Sequence, residues 1–295
     1  MINVVLCILA NVGILICFRE FKTHQIITLQ AIVVNYFVCV LTGLIYIGNL
    51  EETMQVASFD PWVFVGIGFG FVFITSFNLI AKTTQRLGVA VAAIATKMSL
   101  IIPVLISIFI LGTQSKEYSW LNYFGIFAAL CAIILSSIKK RSGVKNAPTG
   151  FLALLLPMSV FLLTGFLDTS MNYINLNLIT AQQQGIFPIV IFGSAFLFGS
   201  IYLVSQRQSL EWKSIVGGVF LGVINYFSIY FLLKSLSSFN NDGALVYPIL
   251  NLGIILLSAG VTVMLFKERL LKLNQIGILL AIVSILMIFY QEILG

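Results

Sequence analysis

The sequence predicts an all-α integral membrane protein with ten transmembrane helices in two inverted five-helix repeats. The first observation is composition: 60% of the 295 residues are hydrophobic and 9% are charged, whereas soluble domains carry roughly 25% charged residues. The second is a series of ten apolar runs, most of them long enough to cross a bilayer as one helix. The third is an internal repeat at a constant spacing of 152 residues.

The apolar runs define ten predicted spans. Trp62, Trp120 and Trp212 each fall at the start of a span, as expected for the aromatic belts at a bilayer surface. The first run is apolar from Ile2, with no basic segment and no small-residue cleavage site, so we expect it to be retained as a helix. The spans lie at about 2–18, 25–47, 61–81, 88–111, 119–137, 151–171, 184–204, 213–235, 242–266 and 272–290.

The fourth span, residues 88–111, carries Lys97 in the middle of an apolar run. A charge at that depth costs on the order of 3 kcal/mol unless it faces protein, water or a partner. Ala93 and Ala90 precede Lys97 by one and two helical turns, so its face is predicted to pack inward. We therefore expect Lys97 to line a central cavity.

The chain repeats itself without a gap. An offset of 152 residues aligns Leu121-Asn122-x-x-Gly125-Ile126 with Leu273-Asn274-x-x-Gly277-Ile278, and Lys82 with Lys234. The expected organisation is a first repeat at 1–138, a basic connecting loop at 139–150 and a second repeat at 151–295. Because five is an odd number of spans, the second repeat should enter the membrane from the opposite side, which favours alternating access.

Two glycine pairs also fall in register. Gly66-x-x-x-Gly70 in span 3 and Gly218-x-x-x-Gly222 in span 8 each place two small residues one helical turn apart. This pattern is typical of close helix packing in membranes, and we predict that role rather than contact with a ligand.

Loop charge predicts the orientation. The loops after spans 1, 3, 5, 7 and 9, with the adjoining helix ends, hold thirteen Lys and Arg residues, and the opposite side holds Lys116 and Lys234. The opposite side also carries the acidic residues Glu51, Glu52 and Asp60. Basic loops favour the cytoplasm, so both termini are predicted to lie outside it, in a bacterial-type inner membrane.

The segment Phe266-Lys267-Glu268-Arg269-Leu270, followed by Leu273-x-x-x-Gly277, resembles the Gly-Glu-Arg-Leu turn of the ten-helix EamA-type branch of the drug/metabolite transporter superfamily. Phe266 and Lys267 replace the usual Leu-Gly. Residues 111–117 keep a longer form of the same turn. The resemblance implies a cavity lined by spans 1, 3, 4, 6, 8 and 9.

Gly243-Ala244-Leu245 resembles part of a nucleotide-sugar transporter motif, but Val246-Tyr247 replaces its polar end, so that substrate class is not supported.

Several polar side chains are predicted near the middle of the membrane. Amides at that depth must find partners, so they face protein or a wet cavity. Interhelical hydrogen bonding and substrate binding both remain open for each. The candidate substrate-binding residues are Lys97, Asp168, Asn11, Asn35, Tyr36, Asn225, Tyr226, Tyr247 and Asn251.

Asp168 is the only carboxylate in the interior of a predicted span, since Asp242 is the first residue of span 242–266. It shares a helical face with Thr164 and Asn172, and it could act as a proton relay, a cation site or an ion-pair partner. Counting from the span ends separates Asp168 from Lys97 by roughly 12 Å in depth. A direct pair, two poles of one hydrated cavity, and an Asp168 near the membrane surface all remain open.

The sequence gives no sign of enzyme chemistry, and no cofactor is expected. His24 has no Cys, Asp or Glu at metal-ligand spacing, the four cysteines lie in apolar runs, and there is no glycine-rich nucleotide loop.

The predicted function is secondary transport of a small anionic or zwitterionic metabolite, such as an amino acid or organic acid. Expected partners are that solute, a coupling proton or exchanged solute, the bilayer, and at most a second copy. The alternatives are efflux of cationic amphiphiles using Asp168, and a membrane scaffold that transports nothing.

Overall fold

The structure, a computed structural model, describes residues 2–48, 61–102, 119–137, 151–178, 186–207, 209–238, 243–267, 271–288 and 290. In these ranges the chain is helical, as expected where apolar runs must satisfy their backbone groups internally. The helices are α1 (Ile2–Thr23), α2 (Thr28–Ile47), α3 (Pro61–Leu87), α4 (Val89–Lys97), α5 (Trp120–Ser137), α6 (Phe151–Asn177), α7 (Phe187–Ser205), α8 (Trp212–Ser238), α9 (Gly243–Met264) and α10 (Lys272–Ile288).

Five apolar segments of the described chain have the length and composition needed to cross a membrane. They are Ile2–Thr23, Thr28–Tyr46, Pro61–Leu87, Phe187–Ser205 and Trp212–Leu232. Shorter apolar segments occur in each of the other five helices, and every predicted span overlaps one helix. The chain is therefore an all-helical protein with several helices suited to a membrane.

Some helices continue beyond the predicted spans. The spans were expected to end at 18, 81 and 171, but α1 continues to Thr23, α3 to Leu87 and α6 to Asn177. Hydropathy falls where charged residues such as Arg19 and Lys82 begin, yet such residues are good helix formers and the backbone ladder continues through them. Hydropathy thus locates the apolar stretch rather than the end of the helix.

The fourth span is not the single regular helix that was expected. The α-helix ends at Lys97 and is followed by a 3₁₀ turn at Met98–Leu100, before Ile101 and Ile102 return to helix. The rest of this span, with Pro103, lies outside the described residues. A 3₁₀ stretch within a helix often marks strain or a hinge.

The described chain forms two compact units. Unit 1 comprises Met1–Arg19, Leu79–Phe166 and Ser228–Gly295, and unit 2 comprises Glu20–Asn78 and Leu167–Phe227. Each unit draws on both halves of the sequence repeat. Unit 1 contains all of α4, α5, α9 and α10, and unit 2 contains all of α2 and α7.

In unit 1, α5 and α10 make matching contacts near their ends. Asn122 Nδ2 donates to the carbonyl of Ile288 at 2.7 Å, and Asn274 Nδ2 donates to the carbonyl of Leu135 at 3.2 Å. Each Asn Oδ1 also accepts from the backbone N–H three residues earlier, at 2.8 Å and 3.1 Å, which satisfies a free donor at its own helix start. The start of each helix is therefore bonded to the end of the other, and the two run antiparallel.

In unit 2, the paired glycines allow helices to approach closely. A Cβ added at Gly70 on α3 would overlap the Ser194 hydroxyl and lie 2.5 Å from the backbone nitrogen of Ala195 on α7. A Cβ added at Gly222 on α8 would lie 2.8 Å from the carbonyl oxygen of Asn35 on α2. The packing role predicted for both glycine pairs is confirmed.

Candidate functional site

Lys97 closes α4 at the point where its backbone changes to 3₁₀ geometry. The residues from Val89 to Ala95 are all buried, so every side of α4 is covered by protein there. That Lys97 lines a central cavity stays a prediction. Thr96 Oγ1 donates to the Ala92 carbonyl at 3.0 Å, and Ser99 Oγ donates to the Thr96 carbonyl at 2.6 Å. The Met98 backbone N–H donates to the Ile94 carbonyl, so the backbone hydrogen bonds continue past Lys97.

Lys97 is partly buried and contacts a second deep polar residue. Its Nζ donates to Asn11 Oδ1 on α1 at 3.2 Å, and Asn11 Nδ2 donates to the Cys7 carbonyl at 2.9 Å. The thiol of Cys7 in turn lies 3.5 Å from the carbonyl of Ser228 on α8. Asn11 is therefore held on its amide side and offers its oxygen to the lysine. An ammonium group carries three N–H donors, and Asn11 Oδ1 accepts from one of them.

The described part of unit 1 is strongly positive. Its sequence contains no Asp or Glu. Lys97 is partly buried and donates to the Asn11 amide, whereas five of the six other cations in the described part of the unit are exposed. Those six cations are Arg19, Lys82, Arg86, Lys234, Lys267 and Lys272. A partly buried cation in such surroundings favours an anionic ligand, because charge interactions strengthen as the local dielectric falls.

Asn35 and Asn225, in unit 2, have a different environment. Asn225 Nδ2 donates to Asn35 Oδ1 at 3.1 Å, and the two residues are 3% and 0% exposed respectively. The Cys39 thiol lies 3.8 Å from the same oxygen, and Asn35 Nδ2 is 3.4 Å from the carbonyl of Ile32. This geometry fits the interhelical hydrogen bond that the sequence left open as one of two readings.

Two further candidate residues have buried polar atoms without a hydrogen-bond partner among the described residues. They are Tyr36 OH in unit 2 and Asn251 Nδ2 in unit 1. The ring of Tyr36 packs against Phe77 and Phe192, with ring centroids 5.6 Å and 5.7 Å away. Asn251 lies on α9 and is 5% exposed. A buried donor without a partner is costly, so Asn251 is the stronger candidate for a ligand that accepts a hydrogen bond in unit 1.

The remaining candidate residues are less enclosed. Tyr226 is partly buried in unit 2, with its ring 6.2 Å from that of Tyr46. Tyr247 on α9 is 36% exposed. Asp168 is exposed and belongs to unit 2, whereas Lys97 belongs to unit 1, so their pairing stays a prediction. The helix of Asp168 begins at Phe151, the first residue of the predicted span.

Sequence reasoning missed two members of the Lys97 site. Cys7 was interpreted only as a small buried hydrophobe, and Ser228 was not considered. Cys7 precedes Asn11 by four residues, so helical spacing already places it one turn away on the same face. No sequence signal predicts the contact with Ser228, because it depends on which helices are neighbours.

The structure shows no group of three His, Cys, Asp or Glu side chains able to hold a metal, within the residues it describes. The Lys97 site instead presents an ammonium group bonded to the Asn11 oxygen, and such a group binds oxygen acceptors through hydrogen bonds and charge.

Comparisons with known proteins leave the family open. No protein-family model matches the chain. A search of curated proteins finds an uncharacterized protein of Haemophilus influenzae that is 26% identical over 298 residues, with 98% of each chain covered. The similarity extends along nearly the whole length of both chains.

Proposed function

We propose that this protein is a secondary transporter of a small anionic or zwitterionic metabolite, such as an amino acid or organic acid, and that it works by alternating access. The observation that carries the proposal is Lys97, a cation deep in an apolar helix, bonded to Asn11 at a break in α4. Intramembrane charges are costly, and their usual roles are in substrate or ion pathways.

In this proposal all ten helices cross the membrane as two inverted five-helix repeats. The reciprocal bonds from Asn122 and Asn274 support it, because the donors are 152 residues apart and act at opposite ends of an antiparallel pair. A two-fold axis perpendicular to the helices would generate this exchange of contacts, and in a membrane such an axis lies in its plane. The sequence resemblance to EamA-type transporters supports the same architecture.

The proposed binding chemistry starts at Lys97. Its ammonium group takes the carboxylate or other anionic group of the solute, while Asn11 keeps the side chain oriented. The unpartnered amide of Asn251 donates to a further oxygen of the solute. Asp168 is the carboxylate that the proposal assigns to a coupling proton or to a cationic group. The protein lies in the inner membrane with both termini outside the cytoplasm.

The test is solute uptake by liposomes containing the purified protein, compared with empty liposomes. Labelled amino acids, organic acids and organic amines are supplied one at a time. The proposal expects saturable uptake of an acid or zwitterion. Uptake of amines alone would favour the cation-efflux alternative, and no uptake of any solute would favour the scaffold. Reporters fused to the C-terminus test the orientation separately.

A further inference from the structure

The ends of three helices come together in unit 1. Gln85 Nε2, in the last turn of α3, donates to the carbonyl of Phe18 on α1 at 3.0 Å. The guanidinium carbon of Arg19 lies 5.6 Å from the centre of the Phe266 ring, just beyond the end of α9. The carboxyl ends of α1, α3 and α9 therefore form one surface, and cation–π contact fixes the position of Arg19 on it.

This surface is basic. Lys82 and Arg86 project from the last turns of α3, and Lys267 and Lys272 flank the connection from α9 to α10. All four are exposed. We call these four residues and Arg19 the basic patch. Glu20, which follows Arg19 on α1, lies 3.3 Å from His24, and the five cations of the patch outnumber this one carboxylate.

Lys267, just beyond the end of α9, has a backbone conformation that is unfavourable for a residue with a side chain. Its φ is 50°, in the left-handed region, where a side chain is unfavourable and glycine is not. Glycine at this position would relieve the backbone conformation and remove the charge.

Apolar side chains adjoin the basic patch. Met264 and Leu265, immediately before Phe266, are 80% and 64% exposed. α1 and α3, two of the three helices that end here, are long and apolar enough to cross a membrane. Cations beside exposed apolar groups at such helix ends match a molecule with an anionic head and an acyl chain. A free phosphate would use only the cations, and a soluble acidic partner would leave the apolar groups uncovered.

We propose that the basic patch binds the headgroup of an anionic phospholipid, with its acyl chain against Met264 and Leu265. Juxtamembrane cations attract anionic lipids by about 1 kcal/mol each, which corresponds to about fivefold in affinity. This site is separate from Lys97 and does not depend on the transport proposal.

The experiment is native mass spectrometry of the purified protein in a neutral detergent, titrated with phosphatidylglycerol or with phosphatidylcholine. The expected result is preferential retention of phosphatidylglycerol, which inorganic phosphate at equal concentration does not displace. Equal retention of both lipids would overturn the proposal and leave the patch as a determinant of orientation only. Displacement by inorganic phosphate would also overturn it, because the acyl chain would then contribute nothing.

Single variants locate the site. Lys82→Gln and Lys267→Gly should each weaken phosphatidylglycerol binding about fivefold. Lys267→Gly removes the unfavourable φ, so its melting temperature in phosphatidylcholine should not fall, which separates lost binding from lost folding. Lys234→Gln is the control, because Lys234 lies far from the basic patch. Asn3 Nδ2 donates to Ser238 Oγ at 3.4 Å, so the end of α8 that carries Lys234 lies beside the start of α1 and away from Arg19. Equal losses in the control and in both patch variants would contradict the assignment.

Discussion

Two deep asparagines, Asn11 in unit 1 and Asn35 in unit 2, show how the same residue type serves different purposes. Asn35 is fully buried and bonded to Asn225, a neutral partner that is also buried. Asn11 is partly buried and bonded to Lys97, a cation whose ammonium group carries three N–H donors. A closed neutral pair joins helices, whereas a partly open charged pair can exchange one acceptor for another. The comparison favours ligand binding in unit 1 and helix association in unit 2.

The largest expected effect is the loss of transport in the Lys97→Met variant. This substitution removes the charge and keeps an unbranched side chain that is only one atom shorter. Solute uptake should fall tenfold or more, on the order of 1.4 kcal/mol, while the melting temperature stays at or above the wild-type value. Lys234→Met is the matched control, since it removes an exposed lysine of the same unit. Normal uptake by well-folded Lys97→Met would remove Lys97 from the site, and a large loss of stability would make its charge structural.

Asn11→Asp should have the next largest effect. A carboxylate in place of the amide would pair with Lys97 and compete with an anionic solute, so uptake should fall roughly fivefold, on the order of 1 kcal/mol. Kinetic measurement should show the change mainly in KM. Asn3→Asp, on the same helix and bonded only to Ser238 in the described contacts, should leave uptake unchanged. An unchanged KM in Asn11→Asp would mean that the solute does not reach this pair.

In unit 2, Asn225→Leu should lower stability without changing uptake per folded molecule. The substitution leaves the Asn35 amide buried without its partner, at a cost of about 1 kcal/mol. Thermal unfolding in detergent measures this loss. The double variant Asn35→Leu/Asn225→Leu should lose less than the sum of the two single variants. A specific drop in uptake, with stability intact, would instead place this pair in the substrate pathway.

The smallest expected effect tests the repeat. Asn122→Ala and Asn274→Ala remove matching bonds between α5 and α10, so each should lower stability by roughly 0.6 kcal/mol, and by similar amounts. Chemical unfolding of both variants gives the comparison. Markedly unequal losses would count against a pseudo-symmetric pair.

Sequence patterns predicted the positions of the helices well because burial of apolar runs is a local property. They predicted that Lys97 faces inward, since Ala90 and Ala93 share its side of α4, and both are buried. They did not predict that α4 ends at Lys97 and passes into a 3₁₀ turn, because the apolar residues of this run do not distinguish α-helical from 3₁₀ geometry. Counting residues from the span ends placed Asn11 and Lys97 near the middle of their spans, but it does not show which side chains are in contact. Contacts between side chains depend on tertiary packing, as does the pairing of Asn35 with Asn225.

The most direct test of the central claim, that Lys97 selects an anionic solute, is a thermal-shift screen of the wild-type protein and Lys97→Met. Amino acids, organic acids, phosphates and amines are compared, because a compound that binds the folded state raises the melting temperature. The account predicts that an anionic or zwitterionic compound stabilises the wild-type protein and does not stabilise Lys97→Met. Equal stabilisation of both proteins by that compound, or stabilisation of the wild type by amines alone, would contradict it.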